Sequence, residues 1–342
     1  MSNESKLHPY EGLIPDRIID AVEAQGFTSD ARILALNSYE NRVYQVGVED
    51  GSPLIAKFYR PERWSDEQIL EEHNFTLELA ALDIPVVAPL QIASNPNDET
   101  SITTLFNFAG FKFALYPRQG GHSPELDQLD NLVILGRFLG RIHAGGKQDV
   151  FQHRPSIDIQ SYGIDSVRFL NGESTGEPFI PAELLDAYNS LSRDLLERIR
   201  TRFTATPYRE IKLHGDCHPS NILWRDEHAH FVDFDDARNG PAIQDLWMLI
   251  SGDRDQQSLQ MSTILEGYRQ FYDFDLAELS LIESLRTLRI MHYAAWLARR
   301  WDDPAFPMNF PWFNTQRYWS DHILELREQL AAIDEPPLQI IF

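Results

Sequence analysis

The sequence predicts an α+β chain of two lobes, an antiparallel β lobe over residues 1–117 and a mainly helical lobe over 118–342. Three observations predict it. Short strand-like runs joined by tight turns fill the first third, Pro117-Arg118-Gln119-Gly120-Gly121 interrupts them, and long helical periods follow. With 342 residues, 43% of them hydrophobic, core size is no constraint. A chain of this length can bury roughly 75% of its unfolded surface.

Taken in order, Arg32–Leu36, Val43–Val48 and Leu54–Tyr59 read as strands, the last two joined by Glu49-Asp50-Gly51, a strong hairpin signal. A helix is expected from Ser65 to Ala81, ending before Ile84-Pro85. Segments near Leu90–Ile92, Thr103–Phe108 and Phe111–Tyr116 read as further strands. Past the break, Leu132, Leu135, Leu139 and Ile142 trace one helix face, and Leu184, Tyr188, Leu191, Leu195 and Ile199 trace another. Ser156–Pro178, with several Gly and Ser, reads as a loop. Later helices are expected over Ile243–Ser251, Ser258–Tyr272, Glu278–Arg300 and Gln316–Ala332. Gly145-Gly146-Lys147 lacks the Ser/Thr of a phosphate loop and reads as a helix end.

The charge narrows the function. Thirty Lys+Arg stand against 52 Asp+Glu, a formal net charge of −22. Nucleic acids and anionic membranes are excluded as general partners, because both need an electropositive face. A single cysteine, Cys217, rules out an internal disulfide framework and fits a reducing compartment. The start, MSNESKLHP, lacks an apolar signal core, and no stretch is long and apolar enough to cross a bilayer, so a cytoplasmic location is expected.

The chemistry concentrates in His214-Gly215-Asp216-Cys217-His218-Pro219-Ser220-Asn221, then Phe231-Val232-Asp233-Phe234-Asp235-Asp236. Gly215 and Pro219 keep Asp216 and Asn221 on a loop. A short hairpin, Ile222–Trp224 with Ala229–Val232, brings Asn221 and Asp233 together. One Asn and one Asp form an oxygen-only pair suited to Mg²⁺, which keeps most of its waters. Asp216 is left for another role. Phosphoryl transfer from a nucleotide needs a carboxylate to orient the acceptor hydroxyl, metal ligands, and a cation on the phosphates. Lys57 is the candidate cation, projecting from the face of its strand that carries Ile55 and Tyr59. Its partner is sought in Glu71 or Glu72 on the following helix, and Glu72 is preferred. His214, Cys217 and His218 suggest zinc, but Pro219 breaks the helix that would align them and no second Cys/His cluster is at zinc spacing. His214 reads instead as a loop brace and Cys217 as an inert small residue.

His214-Gly215-Asp216-x-His218-x-x-Asn221 with the following Asp233 resembles the catalytic-loop motif of the aminoglycoside-phosphotransferase (protein-kinase-like) superfamily. More closely, Asn37–Tyr44, Ala56–Pro61, His214–Trp224 and Phe231–Pro241 resemble the stress response kinase A (YihE/RdoA) family. The resemblance implies a bilobal kinase using ATP and Mg²⁺ between its lobes to phosphorylate Ser/Thr hydroxyls of proteins, its own among them, in envelope and oxidative stress. It is expected to be a monomer. By position, Asp216 would be the proton acceptor, Asn221 and Asp233 the Mg²⁺ ligands, Lys57 the phosphate-binding lysine, Ser38 a nucleotide contact, and Asp245 the brace of the catalytic loop.

Three departures stand beside the resemblance. Phe234-Asp235 replaces the Phe-Gly of eukaryotic protein kinases, and Asn37–Arg42 has no glycine. Only a few residues separate Asp233 from the next helix at Ile243, which leaves no room for a long activation segment, so a constitutive catalytic geometry is expected. A small-molecule kinase of the same fold, acting on an aminoglycoside, choline or homoserine-like alcohol, is the alternative, and a nucleotide-binding pseudokinase is a third reading. The aromatic segment Met291–Trp319 is the expected acceptor wall. Its Pro304–Pro311 loop could line a cleft or dock a partner, and Asp302 and Asp303 beside it would favour a cationic acceptor.

Overall fold

Alternating apolar residues assemble the first sheet. In the computed structural model, which describes residues 9–95 and 98–341, the chain runs α1 (Pro15–Glu23), β1 (Ser29–Ala35), β2 (Arg42–Val48), β3 (Leu54–Phe58), α2 (Asp66–Ala81), β4 (Ile92–Asn95), β5 (Asp98–Thr103), β6 (Phe106–Phe108) and β7 (Phe111–Pro117). It continues through α3 (Leu129–Gly146), α4 (Asp165–Leu170), α5 (Ala182–Ala205), β8 (Ile211–Leu213), β9 (Ile222–Arg225), β10 (His228–Phe231) and β11 (Arg238–Gly240). The last helices are α6 (Ile243–Trp247), α7 (Arg254–Tyr268), α8 (Ile282–Arg299), α9 (Ala305–Asn309) and α10 (Gln316–Ala332). Two compact units result. The first holds the chain up to Pro124 together with Gln152–Arg154 and Pro219–Asp236, and the second holds Glu125–Phe151, Pro155–His218 and the chain from Ala237 on.

In the first unit an antiparallel sheet has the order β1-β2-β3-β7-β6. Leu54, Ala56 and Phe58 of β3 pack with Ile18, Ala21 and Val22 of α1 on one face. On the other face Tyr59 and Ile55 pack with Ile69 of α2. Period-two alternation therefore turns Lys57 toward α2. Ser65 caps α2, its hydroxyl accepting from the N–H of Gln68 while the Gln68 side chain accepts from the N–H of Ser65. The expected run Thr103–Phe108 is divided between β5 and β6, and β4 pairs with β5 in a separate two-stranded sheet. The hairpin β9–β10 forms with Ile222 opposite Phe231.

In the second unit, Gly136 and Gly140 of α3 and Gly267 of α7 let two backbones touch. A Cβ on Gly136 would lie 2.1 Å from the Ile264 carbonyl oxygen, and one on Gly267 would lie 2.0 Å from that of Val133. The second predicted stripe, Tyr188, Leu191, Leu195 and Ile199, is buried on α5, which packs against α8 and α10. Residues 156–178 are not wholly loop. A wide π-type turn over Gln160–Ile164 leads into α4, and Gly163 is there for room, since its Cβ would meet Leu196 Cδ2 at 2.4 Å. Several expected helices shift: α6 is shorter, α7 begins early at an Asp253–Gln256 capping box, and a 3₁₀ turn over Leu276–Leu281 precedes α8. Pro304–Pro311 contains the single-turn α9. No described helix is long and apolar enough to cross a membrane.

Candidate active site

The loop from His214 to Asn221 leaves β8, which pairs with β11, and turns at Gly215, whose φ of +86° a Cβ would oppose. Asp245 on α6 fastens the turn. Its Oδ2 accepts from the N–H of His214 at 2.8 Å and its Oδ1 from that of Gly215 at 2.9 Å. His143 Nε2 meets the same Oδ2 at 3.0 Å, and its Nδ1 lies 2.6 Å from the Tyr268 hydroxyl. The Gln244 amide adds a bond to the Gly215 carbonyl at 3.2 Å. All these groups are buried, so the brace expected of Asp245 is a satisfied network in low dielectric. Asp245→Ala would orphan two backbone N–H groups and one imidazole N–H. The variant is expected to lose about 3–9 kcal/mol in chemical denaturation, summed from ~1–3 kcal/mol for each of the three stranded donors.

Asp216, just beyond, has a basic side chain at each oxygen. Arg289 of α8 contacts Oδ1, and His218 Nε2 lies 3.4 Å from Oδ2. Burial alone would raise the Asp216 pKa, but the His218 hydrogen bond and the Arg289 charge outweigh it and hold the carboxyl well below the usual range. Cys217 beside it is fully buried, and burial pushes its thiol up, which fits the inert reading.

The remaining expected residues lie in the first unit. The Val232 N–H donates to the Asn221 carbonyl at 3.0 Å, so the hairpin holds Asn221 and Asp233 at one end. Asp233 takes a φ of +60°, a left-handed conformation that Asp tolerates better than most residues. Phe234 behind it is buried edge-on against Phe75 of α2. Lys57 Nζ lies 3.0 Å from Asp233 Oδ1 and 3.1 Å from Asp235 Oδ1. Burial alone would lower the lysine's pKa, but Asp235 and Asp233 reverse this and raise it well above its ordinary value.

This corrects the expected Lys57–Glu72 ion pair. The ammonium is taken by the two carboxylates after β10, while Glu72 lies buried with Oε2 lacking a hydrogen-bond partner. Burial pushes the Glu72 carboxyl up to about 7, with Lys57 only partly opposing. Glu71 has a separate role: its carboxylate accepts from the N–H groups of Gln152, His153 and Arg154 at 2.6, 2.9 and 2.8 Å. A raised acid favours the proton in the folded state, so its stabilisation is present below 4.5 and lost as pH rises through about 7. Glu72→Gln is therefore expected to raise the melting temperature at pH 8 and leave it nearly unchanged at pH 4.5. The gain at pH 8 is on the order of 3 kcal/mol, at 1.36 kcal/mol per pKa unit.

Asp235, which the sequence marks only as a replaced glycine, and Arg289 on Asp216 are residues that sequence reasoning missed. Asp235 also ion-pairs with Arg63, whose other guanidinium nitrogen holds Asp236 at 2.7 Å. Ser38 lies half-buried in the β1–β2 connection. That glycine-free loop is pinned from below: the Tyr10 hydroxyl donates to the Glu40 carbonyl at 2.9 Å, and the Arg60 N–H donates to Asn41 Oδ1 at 3.1 Å. The donor chemistry suits a hard cation. Asp233 is 52% exposed with Oδ2 outside the lysine contact, and Asn221 supplies neutral oxygen at the same hairpin end.

An antiparallel sheet in the first part of the chain and a helical second part are the elements of a kinase-like phosphotransferase fold, and comparison with known proteins agrees. The chain belongs to the phosphotransferase enzyme family, whose model matches residues 32–282. Within it, the chain is 46% identical to stress response kinase A of Escherichia coli O157:H7 over 331 residues, 97% of each chain. It is 44% identical over the same length and coverage to the serine/threonine protein kinase RdoA of Salmonella typhimurium (strain LT2). Among solved structures, amicoumacin kinase hAmiN in complex with AMP-PNP and Ca²⁺ matches with a TM-score of 0.68 at 21% identity, covering 92% of this chain and 91% of that one. The resemblance read from the catalytic loop is thus shown at the level of family and fold.

Proposed function

We propose that the protein is an ATP- and Mg²⁺-dependent kinase that transfers the γ-phosphate to Ser/Thr hydroxyls of proteins, and that it serves stress survival as its relatives' names suggest. The observation that carries this reading is the buried Lys57 ammonium held within 3.1 Å of two carboxylates, one of them the exposed Asp233. In this reading Lys57 neutralises phosphate charge and Ser38 contacts the nucleotide from the pinned β1–β2 loop. Asn221 and Asp233 would hold Mg²⁺, which when bound offsets the charge developing on the phosphate oxygens.

Asp216 orients the acceptor. A bond forms between the acceptor oxygen and the γ-phosphorus, the bond to the bridging oxygen of ADP breaks, and the hydroxyl proton passes to Asp216. With its pKa held low, Asp216 works by accepting a hydrogen bond and takes the proton late, as a loose transition state allows. A second reading, a small-molecule kinase, is favoured by the neighbours' titles, which include amicoumacin and aminopropanol kinases.

Labelled ATP with Mg²⁺, offered in parallel to dephosphorylated casein, the enzyme itself and a panel of amino alcohols and aminoglycosides, separates the two. Acid hydrolysis of the protein fraction is expected to yield phosphoserine and phosphothreonine. Label confined to the small molecules would overturn the protein-kinase reading.

A further inference from the structure

Resting on the protein-kinase reading, we infer that Arg289 selects the acceptor: the site takes a protein segment whose Ser or Thr is flanked by acidic residues, and it discriminates against cationic acceptors. Arg289 stands 38% exposed on α8 with one guanidinium nitrogen on Asp216 Oδ1. A guanidinium has five N–H donors in a planar fork, so it can stay on Asp216 and still offer donors to a second carboxylate. Any hydroxyl hydrogen-bonded to Asp216 brings its neighbouring substituents within a few ångströms of that charge. An ammonium there is repelled and a carboxylate attracted, in a half-exposed setting where Coulomb energies exceed their bulk-water values.

Two of the carboxylates that could reverse this sign, Asp303 and Glu283, are engaged elsewhere, and Asp302 is exposed. Asp303, expected to favour a cationic acceptor, is buried and caps α9 through the Ala305 N–H at 3.0 Å. Glu283, one turn before Arg286 on α8, pairs with that arginine at 2.8 Å. The second part of the claim, a chain segment rather than a small anion, rests on the aromatic residues that come after Arg289 along the helix. Tyr293 and Trp296 lie four and seven positions on, on the same face. Their rings stack at 5.7 Å and 14°, and Tyr293 is 41% exposed. Tyr293 lies about 6 Å along the helix from Arg289, at about 1.5 Å rise per residue, and two residues of extended peptide at about 3.3 Å each span that distance.

The test uses serine peptides of one scaffold with Glu, Gln or Lys on either side of the acceptor, assayed with the full-length enzyme, ATP and Mg²⁺. Wild type is expected to prefer Glu over Lys flanks about tenfold in kcat/KM, which is one ion pair's worth at 1.4 kcal/mol per decade. Arg289→Gln is expected to bring the ratio near one, and Arg289→Glu to invert it. Because the ratio is taken within each enzyme sample, a partly unfolded variant does not distort it. Equal use of Glu and Lys peptides by wild type, or an unchanged ratio in Arg289→Gln, overturns the inference alone. Transfer to no peptide, with amino alcohols phosphorylated, overturns the protein-acceptor reading and the inference together.

Discussion

Replacing Asp216 with Asn is expected to lower phosphate transfer about 10³-fold while leaving ATP affinity within a factor of about two, the range in which positioned acid–base groups act. The amide keeps the size and the Arg289 contact geometry but cannot take the hydroxyl proton and offers a donor where the acceptor needs an acceptor atom. Asp216 lies on a loop fastened by Asp245, Gln244 and His143, so the substitution leaves that brace in place. Single-turnover transfer and nucleotide titration on the same sample check both halves. The asymmetry matters, because a residue that merely stabilised the loop would affect stability and affinity as well as rate.

The second large effect is expected at Lys57. Lys57→Met keeps the side-chain length and the packing against Tyr59 but removes the charge between Asp233 and Asp235. Two carboxylates, one of them buried, are then left without that charge, while Arg63 stays paired to Asp235. Removing one partner of a buried pair costs about 3–5 kcal/mol, and the lower figure is expected because Arg63 persists. Since the lysine's pKa is raised in the folded protein, its stabilisation is complete below its ordinary value and lost only as pH rises through the folded one. The loss in Lys57→Met should therefore be the same at pH 6 and pH 8. Urea denaturation at the two pH values measures it, and transfer is expected to fall at least 10²-fold in parallel.

Much of this was legible because local patterns govern it. Period-two alternation in Leu54–Tyr59 places Lys57 on the α2 face, and the β9–β10 turn brings Asn221 and Asp233 together. The choice between Glu71 and Glu72 was legible in principle. Ile69, Glu72, Phe75, Thr76 and Leu79 are all buried on α2, spaced three and four apart, and Glu71 lies off that face. Helix α1 was also missed despite Pro15 at its start and Ile18, Ala21 and Val22 at helical spacing, a short signal easily read as loop.

Two of these groups leave no local trace. Arg289 lies 73 residues from Asp216, and only the packing of α8 in the second unit brings it to that carboxylate. Asp235 shares Lys57 with Asp233 because the backbone turns left-handed at Asp233 and folds into a 3₁₀ turn over Phe234–Asp236, and no residue pattern announces that. The Lys57–Glu72 pairing failed for the same reason: a partner was sought on the neighbouring helix, and the nearer carboxylates arrive from more than 170 positions away.

The most direct test of protein-kinase activity at Asp216 is one turnover. Enzyme in excess over γ-labelled ATP and Mg²⁺ is mixed with a Glu-flanked serine peptide, quenched, and the peptide and nucleotide are separated, with Asp216→Asn run beside wild type. Wild type is expected to give phosphoserine in the peptide and the variant to leave ATP intact, with ATP bound in both. Labelled peptide from Asp216→Asn at the wild-type rate, or bound ATP left intact by wild type in the presence of every acceptor, would contradict it.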